Sequence, residues 1–307
     1  TIASSSARVG FFAGPGLTAY PGTTMSPGNS RVITTVRLVS LCVMANSTSR
    51  PPPPETRVRI LIWNILHGGG PTRLPEIALA ILAHAPDIVL LSEFRIARGG
   101  QLRAVLADHG LRHQLTTTPA RPSGNGLLTA CRWPIAPTPD SQAHPKWLST
   151  MTLDGPCQGL VLLHAHIPDE SQPTGRATLW QWCVDAARQW ADRPAVLAGD
   201  LNTGRPGLDT DRVGRTCVSM LGRMTTLGWR DLWRDLHPGV REASWSGRGL
   251  DGRVEAARLD TALLSPALVR TIGAHRDLPP SAEYSQIERE MGLSDHAPLL
   301  LTLPMSN

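Results

Sequence analysis

The sequence predicts an α/β protein whose central strands are buried. From Arg57 onward, short apolar runs alternate with amphipathic segments, which is the pattern of a sheet covered by helices. Hydrophobic residues make up 41% of the 307-residue chain, so a sizeable core can form. Because no internal repeat and no second linker rich in proline or glycine follows, residues 57–305 are expected to form one domain.

Seven buried strands are expected within this domain, each a run of apolar residues of strand length. In chain order they are Val58–Trp63, Asp87–Leu91, Gly126–Arg132, Gly159–Ala165, Ala195–Ala198, Leu259–Leu264 and Leu299–Leu303. A helix is expected over Gly175–Trp190, where apolar side chains recur at helical spacing, with Thr174 as its N-cap.

The first 56 residues differ from the rest of the chain in composition and in hydrophobic patterning. They are rich in glycine, serine, threonine and proline, show no periodicity, and end in the polyproline run Pro51–Pro54. We therefore expect residues 1–56 to be a disordered or non-native N-terminal arm. Because Met44 lies shortly before the proline run, a hypothesis is that the native product starts there. Peptides from residues 1–43 in the protein from its native host would contradict that hypothesis.

The charge and the cysteine content indicate the class of binding partner and the cellular compartment of the protein. Thirty Lys and Arg against 25 Asp and Glu give a net charge of +5 and a pI of about 9.3, which favours polyanionic partners. The arginine excess suits phosphate recognition, or reflects genomic base composition. Five cysteines without CxxC spacing predict neither a disulfide framework nor a zinc site, so a cytoplasmic location is expected. We expect no membrane association and a monomer.

Polar residues suited to phosphate-ester chemistry stand where the expected strands end. The first strand runs into Asn64, an amide that could orient a phosphate or a metal ligand, or merely cap a turn. The second strand delivers Glu93 directly after buried apolar residues, where a carboxylate is costly unless it is paired or metal-bound. Glu93 is therefore the natural Mg²⁺ ligand.

Two later strands end in histidine and aspartate. His164 and His166 point to one face of their strand, and His166 is the functional candidate because it lies nearer the strand exit. The following strand continues through Gly199, which permits a close approach, to Asp200 and then Asn202. Asp200 can deprotonate a water molecule there, while Asn202 holds the phosphate or orients the carboxylate.

The end of the chain presents a carboxylate beside an imidazole. Asp295 and His296 precede the last apolar strand, and this pair of groups suits the neutralisation of a phosphate oxyanion. Asp260 opens the preceding strand and can pair with His296, provided the fold brings the two together. Because an Asp-His dipeptide is usually ordinary loop sequence, the prediction depends on the whole ordered set.

Taken together, these motifs resemble the endonuclease/exonuclease/phosphatase superfamily over residues 57–305. The motifs in the family's order are Trp63-Asn64, Ser92-Glu93, Gly124-Asn125-Gly126, His166, Gly199-Asp200-Leu201-Asn202, Arg258-Leu259-Asp260 and Ser294-Asp295-His296. The resemblance implies a four-layer α/β sandwich, with two β-sheets packed face to face between helical layers. It also implies cleavage of phosphate esters that depends on Mg²⁺ or Mn²⁺.

The resemblance further implies a role for each residue of the set. Glu93 looks like the principal metal ligand, assisted by Asn64 and Asp295. Asp200 looks like the group that activates the attacking water. Asn202 and His166 look like contacts to the phosphate. His296 would stabilise the charge that develops on the phosphate, and Asp260 would orient His296. Asp169 stands where the abasic-endonuclease branch often has asparagine, which puts one phosphate contact in doubt.

The branch of the superfamily is indicated by the stretch from Trp229 to Arg248. It resembles the exodeoxyribonuclease III and abasic-site endonuclease branch, where a similar segment forms part of the DNA-facing loop. Trp245 and Arg248 are therefore candidates for base stacking and phosphate contact, and Asn125 is a further candidate substrate contact. The alternative interpretation is that Trp245 is an ordinary core residue and that Arg248 is a solvent-exposed loop residue.

Three functions fit this sequence. The leading one is a Mg²⁺-dependent DNA phosphodiesterase, an endonuclease or 3′-exonuclease, acting at abasic sites in DNA repair or trimming 3′ ends. The second is a phosphatase or phosphodiesterase for a small-molecule or lipid-headgroup phosphoester, although no membrane-binding feature supports it. The third is a nucleic-acid-binding protein that has lost catalysis, which the complete set of acidic and histidine residues argues against.

Overall fold

The structure, a computed structural model, describes residues 57–117, 121, 123–139, 146–155, 159–169, 173–211, 217–248, 252–274 and 277–305. The expected N-terminal arm, residues 1–56, lies outside the described residues.

Fourteen strands and seven α-helices are found within the described residues. The strands are β1 (Arg57–Asn64), β2 (Ile88–Phe94), β3 (His113–Thr116), β4 (Gly126–Cys131), β5 (Ile135–Pro137), β6 (Leu148–Leu153), β7 (Val161–His166), β8 (Ala195–Asp200), β9 (Arg230–Asp231), β10 (Trp245–Arg248), β11 (Val254–Ala257), β12 (Asp260–Leu264), β13 (Ser281–Tyr284) and β14 (Leu299–Pro304). The helices are α1 (Leu74–Ala83), α2 (Gly100–Asp108), α3 (Pro173–Gln189), α4 (Val218–Thr226), α5 (Leu232–Leu236), α6 (Pro266–Gly273) and α7 (Ile287–Glu290).

Two six-stranded mixed sheets pack face to face. The first has the strand order β13-β14-β1-β2-β4-β3, and the second has the order β5-β6-β7-β8-β12-β9. Between them lies a core of buried side chains from both sheets, including Ile60 and Leu90 of the first and Leu162 and Val196 of the second. Helices α1 and α2 cover the outer face of the first sheet, and α3 and α4 cover that of the second. The expected four-layer α/β sandwich is confirmed.

The seven predicted strands are all present, with small shifts at their ends. β1 and β2 pair in parallel, as do β7 and β8. In each pair the polar residues at the carboxyl ends of the strands therefore lie at the same edge of the sheet. β2 continues past its predicted end through Glu93, because a bulge there absorbs the extra residue. The strands that the sequence did not predict, such as β3, are mostly short and half-exposed and lack a continuous apolar run.

The helix boundaries need one correction. α3 begins at Pro173, so Thr174 lies in the first turn and its prediction as N-cap was wrong. Proline suits this position because the N–H group it lacks would have no partner within the helix. Among the described residues, no helix combines the length and the apolar character that a membrane span needs.

A buried ion-pair network anchors the start of β12. Arg258 Nε lies 2.8 Å from Asp209 Oδ1, and Arg258 Nη2 lies 2.6 Å from Asp231 Oδ2. Arg234 bonds the same Asp209 oxygen at 2.5 Å. Only 2% of Arg258 is exposed. This arginine therefore belongs to the scaffold that places Asp260, two residues further along the chain.

We expect Arg258→Met to lower the free energy of unfolding by about 3–5 kcal/mol, because it leaves the buried Asp231 carboxylate without its cation and leaves Asp209 with Arg234 alone. Urea denaturation followed by circular dichroism measures this change. The matched control is Arg230→Met, since Arg230 pairs with Asp235 near the surface, where a pair contributes about 1 kcal/mol or less. Equal losses in the two variants would contradict a scaffold role for Arg258.

Candidate active site

The carboxyl end of β8 forms the centre of the site. β8 pairs with β7 on one side and β12 on the other, so His166 and Asp260 both lie beside Asp200. His166 Nε2 lies 3.6 Å from Asp200 Oδ2, and all three residues are buried. Strand register alone therefore brings together three of the residues singled out from the sequence.

Close packing of β7 against β8 depends on Gly199. Its φ is +142°, and a Cβ atom there would lie 1.8 Å from the carbonyl oxygen of Ala165. A larger residue would therefore push the two strands apart. The close approach predicted at this glycine is confirmed, and it holds His166 and Asp200 side by side.

His164 has a different environment from His166. It is fully buried, and its Nδ1 lies 3.1 Å from the hydroxyl of Thr129 in the first sheet. Burial lowers the pKa of His164 to about 3, so its imidazole is neutral. His164 is thus a core residue between the sheets.

Two asparagines hold the Asp200 carboxylate. Its Oδ1 accepts a bond from the Asn202 backbone N–H at 3.0 Å. Its Oδ2 accepts bonds from the side-chain amides of Asn64 at 2.9 Å and Asn202 at 3.2 Å. Asn202 has a φ of +47°, a conformation that asparagine tolerates better than most residues. This geometry fits the orientation of the Asp200 carboxylate by Asn202, and the contact of Asn202 with a phosphate stays a prediction.

His296 lies between two carboxylates. Its Nδ1 is 2.7 Å from Asp260 Oδ2, and its Nε2 is 3.9 Å from Asp200 Oδ2. Burial alone would lower the pKa of His296, but the charges of Asp260 and Asp200 outweigh burial and raise this pKa to about 10. The two carboxylates therefore favour the protonated imidazole, which carries a donor at Nε2 on the Asp200 side.

Two serines connect the chain segments that carry the His296–Asp260 pair. Ser244 Oγ accepts a bond from the Asp260 N–H at 3.0 Å. Ser294 Oγ donates to the carbonyl of Asn64 at 2.6 Å and accepts from the His296 N–H at 3.2 Å. Neither role was predicted, because a serine in a loop carries no periodic signal and because Asp260 and Asn64 are distant from these serines in sequence.

Glu93 sits at the β-bulge where the register of β2 against β4 shifts. Its φ is +59°, a strained conformation for glutamate of a kind that is common at functional sites. Asn64 Nδ2 lies 3.3 Å from Glu93 Oε1 and 2.9 Å from Asp200 Oδ2, so a single amide joins the two carboxylates. The bulge therefore directs the Glu93 side chain into the site rather than away from it.

The second Glu93 oxygen is held by the loop after β1 and by the start of β4. Oε2 accepts bonds from the His67 N–H at 2.7 Å and from Asn125 Nδ2 at 2.9 Å, and His67 Nδ1 lies 2.8 Å away. Arg95 Nε donates to Asn125 Oδ1 at 2.7 Å. The Asn125 amide is thus engaged in positioning Glu93, and its contact with substrate stays a prediction. His67 was missed, although the three glycines after it signal a tightly wound loop.

Asp295 and Trp245 lie beside His296, on the side of β12. Trp245 Nε1 donates to Asp295 Oδ2 at 3.0 Å, and Trp245 pairs with His296 through a backbone bridge. Trp245 is half-buried at the start of the β10–β11 hairpin. Arg248, at the end of β10, is exposed, and its Nη1 bonds the Gly252 carbonyl at 3.2 Å. The structure therefore places Trp245 next to the histidine and Arg248 at the other end of the same strand.

Residues 61–296 of the chain match the Endonuclease/Exonuclease/phosphatase family, a span that contains every group described above. The chain belongs to this family. Membership of the Endonuclease/Exonuclease/phosphatase family supports a phosphoester hydrolase that depends on a divalent metal.

Three solved structures illustrate the likeness in fold. The 3′ phosphatase NExo from Neisseria, bound to a product DNA hairpin, has a TM-score of 0.62 at 19% identity over 80% of this chain and 98% of that chain. An AP endonuclease from Archaeoglobus fulgidus has a TM-score of 0.63 at 18% identity over 80% and 99%. An AP endonuclease from Leishmania major has a TM-score of 0.59 at 14% identity over 82% and 89%. No curated protein matches the chain significantly.

The donors around Glu93 fit the metal that the Endonuclease/Exonuclease/phosphatase family uses. Two carboxylates converge on the Asn64 amide, and among the described residues Glu93 Oε1 has only the long bond to that amide. This oxygen is therefore free for a hard cation. Asn64 turns its nitrogen to the carboxylates, and its Oδ1 accepts a bond from the Leu66 N–H at 3.0 Å, so rotating the amide to offer Oδ1 to a metal would break that bond. Asp200, Asp260 and His296 form another group of metal-competent atoms within 4.8 Å, but the His296–Asp260 hydrogen bond already engages two of them.

We expect Glu93→Gln to weaken Mn²⁺ binding by about 10-fold or more, because an amide replaces the charged ligand. Isothermal titration calorimetry on the purified protein measures this affinity without reference to activity. Glu76→Gln is the matched control, since Glu76 is exposed on the first turn of α1. Equal affinities in the two variants would contradict the assignment of Glu93 as the metal ligand.

Proposed function

We propose that this protein is a divalent-metal-dependent phosphodiesterase that hydrolyses DNA, as an endonuclease or a 3′-exonuclease. The observation that carries this proposal is the buried Asp200 carboxylate, which lies within 4 Å of the imidazoles of His166 and His296. A base flanked by donors for phosphate, with a metal-competent Glu93 beside it, supplies what phosphodiester hydrolysis requires.

Asp200 acts as the base in the proposed reaction. It takes a proton from the attacking water, while Asn64 and Asn202 hold the carboxylate so that it need not reorient during the step. His166 Nε2 lies beside the Asp200 Oδ2 oxygen, and from there the imidazole contacts a phosphate oxygen of the substrate. The base and the phosphate are thereby fixed relative to each other.

As a bond forms between the water oxygen and phosphorus, the bond from phosphorus to the leaving sugar oxygen breaks, and His296 stabilises the charge on the phosphate oxygens. Its Nε2 donates to a non-bridging phosphate oxygen, and Asp260 holds Nδ1 so that the ring keeps this orientation. A metal ion held by Glu93, with Asn64 and Asp295 assisting, would neutralise further phosphate charge. The protein groups thus surround the phosphate with donors on two sides.

The DNA substrate is supported by three observations. The net charge of +5 favours a polyanion. Trp245 and Arg248 lie on a hairpin next to His296, where a stacking ring and a cation can reach a nucleotide. The Neisseria and Archaeoglobus proteins of the same fold process DNA, one as a 3′ phosphatase and one as an AP endonuclease. An abasic site is therefore the lesion to test first.

The test is cleavage of a labelled duplex that carries one abasic-site analogue, beside its undamaged twin, with Mg²⁺, with Mn²⁺ and with chelator. Glu93→Ala controls for contaminating nucleases. An abasic-site endonuclease gives metal-dependent incision of the abasic strand alone, and a 3′-exonuclease gives metal-dependent shortening of both duplexes from their 3′ ends. Hydrolysis of bis-p-nitrophenyl phosphate without cleavage of either duplex would support the phosphodiesterase activity and contradict DNA as the substrate. A protein inactive on all three substrates would contradict the proposal.

A further inference from the structure

Lys146 and Trp147 extend the site in the direction away from Trp245. Trp147 immediately precedes β6, and the second sheet places β6, β7, β8 and β12 side by side in that order. The His166 N–H donates to the Trp147 carbonyl at 2.9 Å. Trp147 is therefore two strands away from Asp200, roughly 10 Å at the usual strand spacing. Since Trp245 lies on the β12 side, Asp200 lies between two indoles.

Trp147 is in direct contact with His166, the proposed phosphate ligand. The two rings meet edge to face, with centroids 5.2 Å apart and an interplanar angle of 76°. Both Lys146 and Trp147 are half-buried, so part of each side chain remains open to a ligand. The Trp147 ring thus connects the catalytic centre to the rim of the site on the β6 side.

Lys146 is the only lysine in the chain, and its charge has no carboxylate partner among the described residues. Its Nζ lies 3.9 Å from the centroid of the Trp147 ring. The Lys146 carbonyl accepts a bond from the Thr117 hydroxyl at 3.2 Å, which anchors the backbone to the first sheet. A fixed backbone with a cation over an aromatic face is well suited to receive a phosphate next to a planar or apolar group.

We propose that Lys146 and Trp147 form a second substrate-contacting site, which binds the nucleotide next to the scissile phosphate on the side opposite Trp245. Lys146 pairs with the backbone phosphate of that nucleotide, and Trp147 provides an apolar wall for its sugar or base. This inference rests on the proposed hydrolysis of DNA and extends it, because a substrate contacted on both sides of the cleaved bond is a polymer with an internal cleavage point.

Because the chain has a single lysine, acetylation by a sulfo-N-hydroxysuccinimide ester reports on Lys146 side-chain access through mass spectrometry of one peptide. The protein is mixed with the abasic-analogue duplex and chelator, so that nothing is cut, with free N-acetyl-lysine as the reactivity standard. We expect saturating duplex to slow Lys146 acetylation several-fold. Unchanged acetylation while fluorescence anisotropy shows the duplex bound would overturn the site alone. Absence of duplex binding would overturn the proposed function and this site with it.

Salt dependence of DNA affinity gives an independent test. Lys146→Met should reduce the steepness of log affinity against log salt concentration by about 1, the scale for one lost phosphate contact. Arg188→Met is the matched control, because it removes the same charge near the end of α3, away from the site. An equal reduction in both variants would assign the effect to net charge and overturn the site.

Discussion

Asp200→Asn should lower kcat on a phosphodiester by about 10²- to 10⁴-fold, the range for loss of a general base. The substitution preserves the volume of a buried side chain, and one oxygen remains to accept the Asn202 N–H. Loss of the second acceptor, toward Asn64, costs about 1–3 kcal/mol of folding free energy. Substrate binding should be nearly unchanged, because the carboxylate contacts the water and not the phosphate.

Single-turnover kinetics with excess protein measures the Asp200→Asn effect without interference from product release. Asp108→Asn is the matched control, since Asp108 is exposed at the end of α2. A near-normal rate for Asp200→Asn would mean that Asp200 is structural and serves only to order the two asparagines. A loss expressed only as a higher protein concentration for half-maximal single-turnover rate would instead assign Asp200 to substrate binding.

His296→Ala should lower kcat by about 10²- to 10³-fold, the scale for losing one donor to the transition state. It should also lower the melting temperature, because Asp260 is then left buried without its imidazole partner. The rate is measured on the same substrate as for Asp200→Asn, and the melting temperature by differential scanning calorimetry.

The role of Asp260 can be separated from that of His296 with a double variant. If Asp260 acts only by holding Nδ1, Asp260→Asn slows the wild type but slows His296→Ala no further. Losses that multiply in the double variant would mean that Asp260 acts on the substrate independently, and the proposed pairing would be incorrect.

The centre of the site could be predicted because its residues follow buried strands. An apolar run of strand length fixes β8, and the glycine and aspartate after it locate the strand exit. Strand pairing then places His166 and Asp260 against Asp200 without any information from loops. The residue types were therefore sufficient to select residues that the fold brings together, although not to orient each side chain.

The surrounding contacts could not be predicted, because their partners are set by the tertiary fold. His67 bonds Glu93 across 26 positions, and Ser244 bonds Asp260 across 16. The bulge at Glu93 leaves no compositional trace, since the apolar run of β2 passes straight into it. The direction of the Asn125 amide depends on Arg95, whose guanidinium can only donate and so selects the amide oxygen.

The most direct test of the account is single-turnover cleavage of the abasic duplex in water enriched in ¹⁸O, by the wild type and by Asp200→Asn. We expect one ¹⁸O atom in the phosphate of the wild-type product, because water attacks phosphorus, and a far slower appearance of the same product with the variant. A cleaved strand with no label in its phosphate, as elimination at the sugar would give, would contradict the account, as would equal rates for the two proteins.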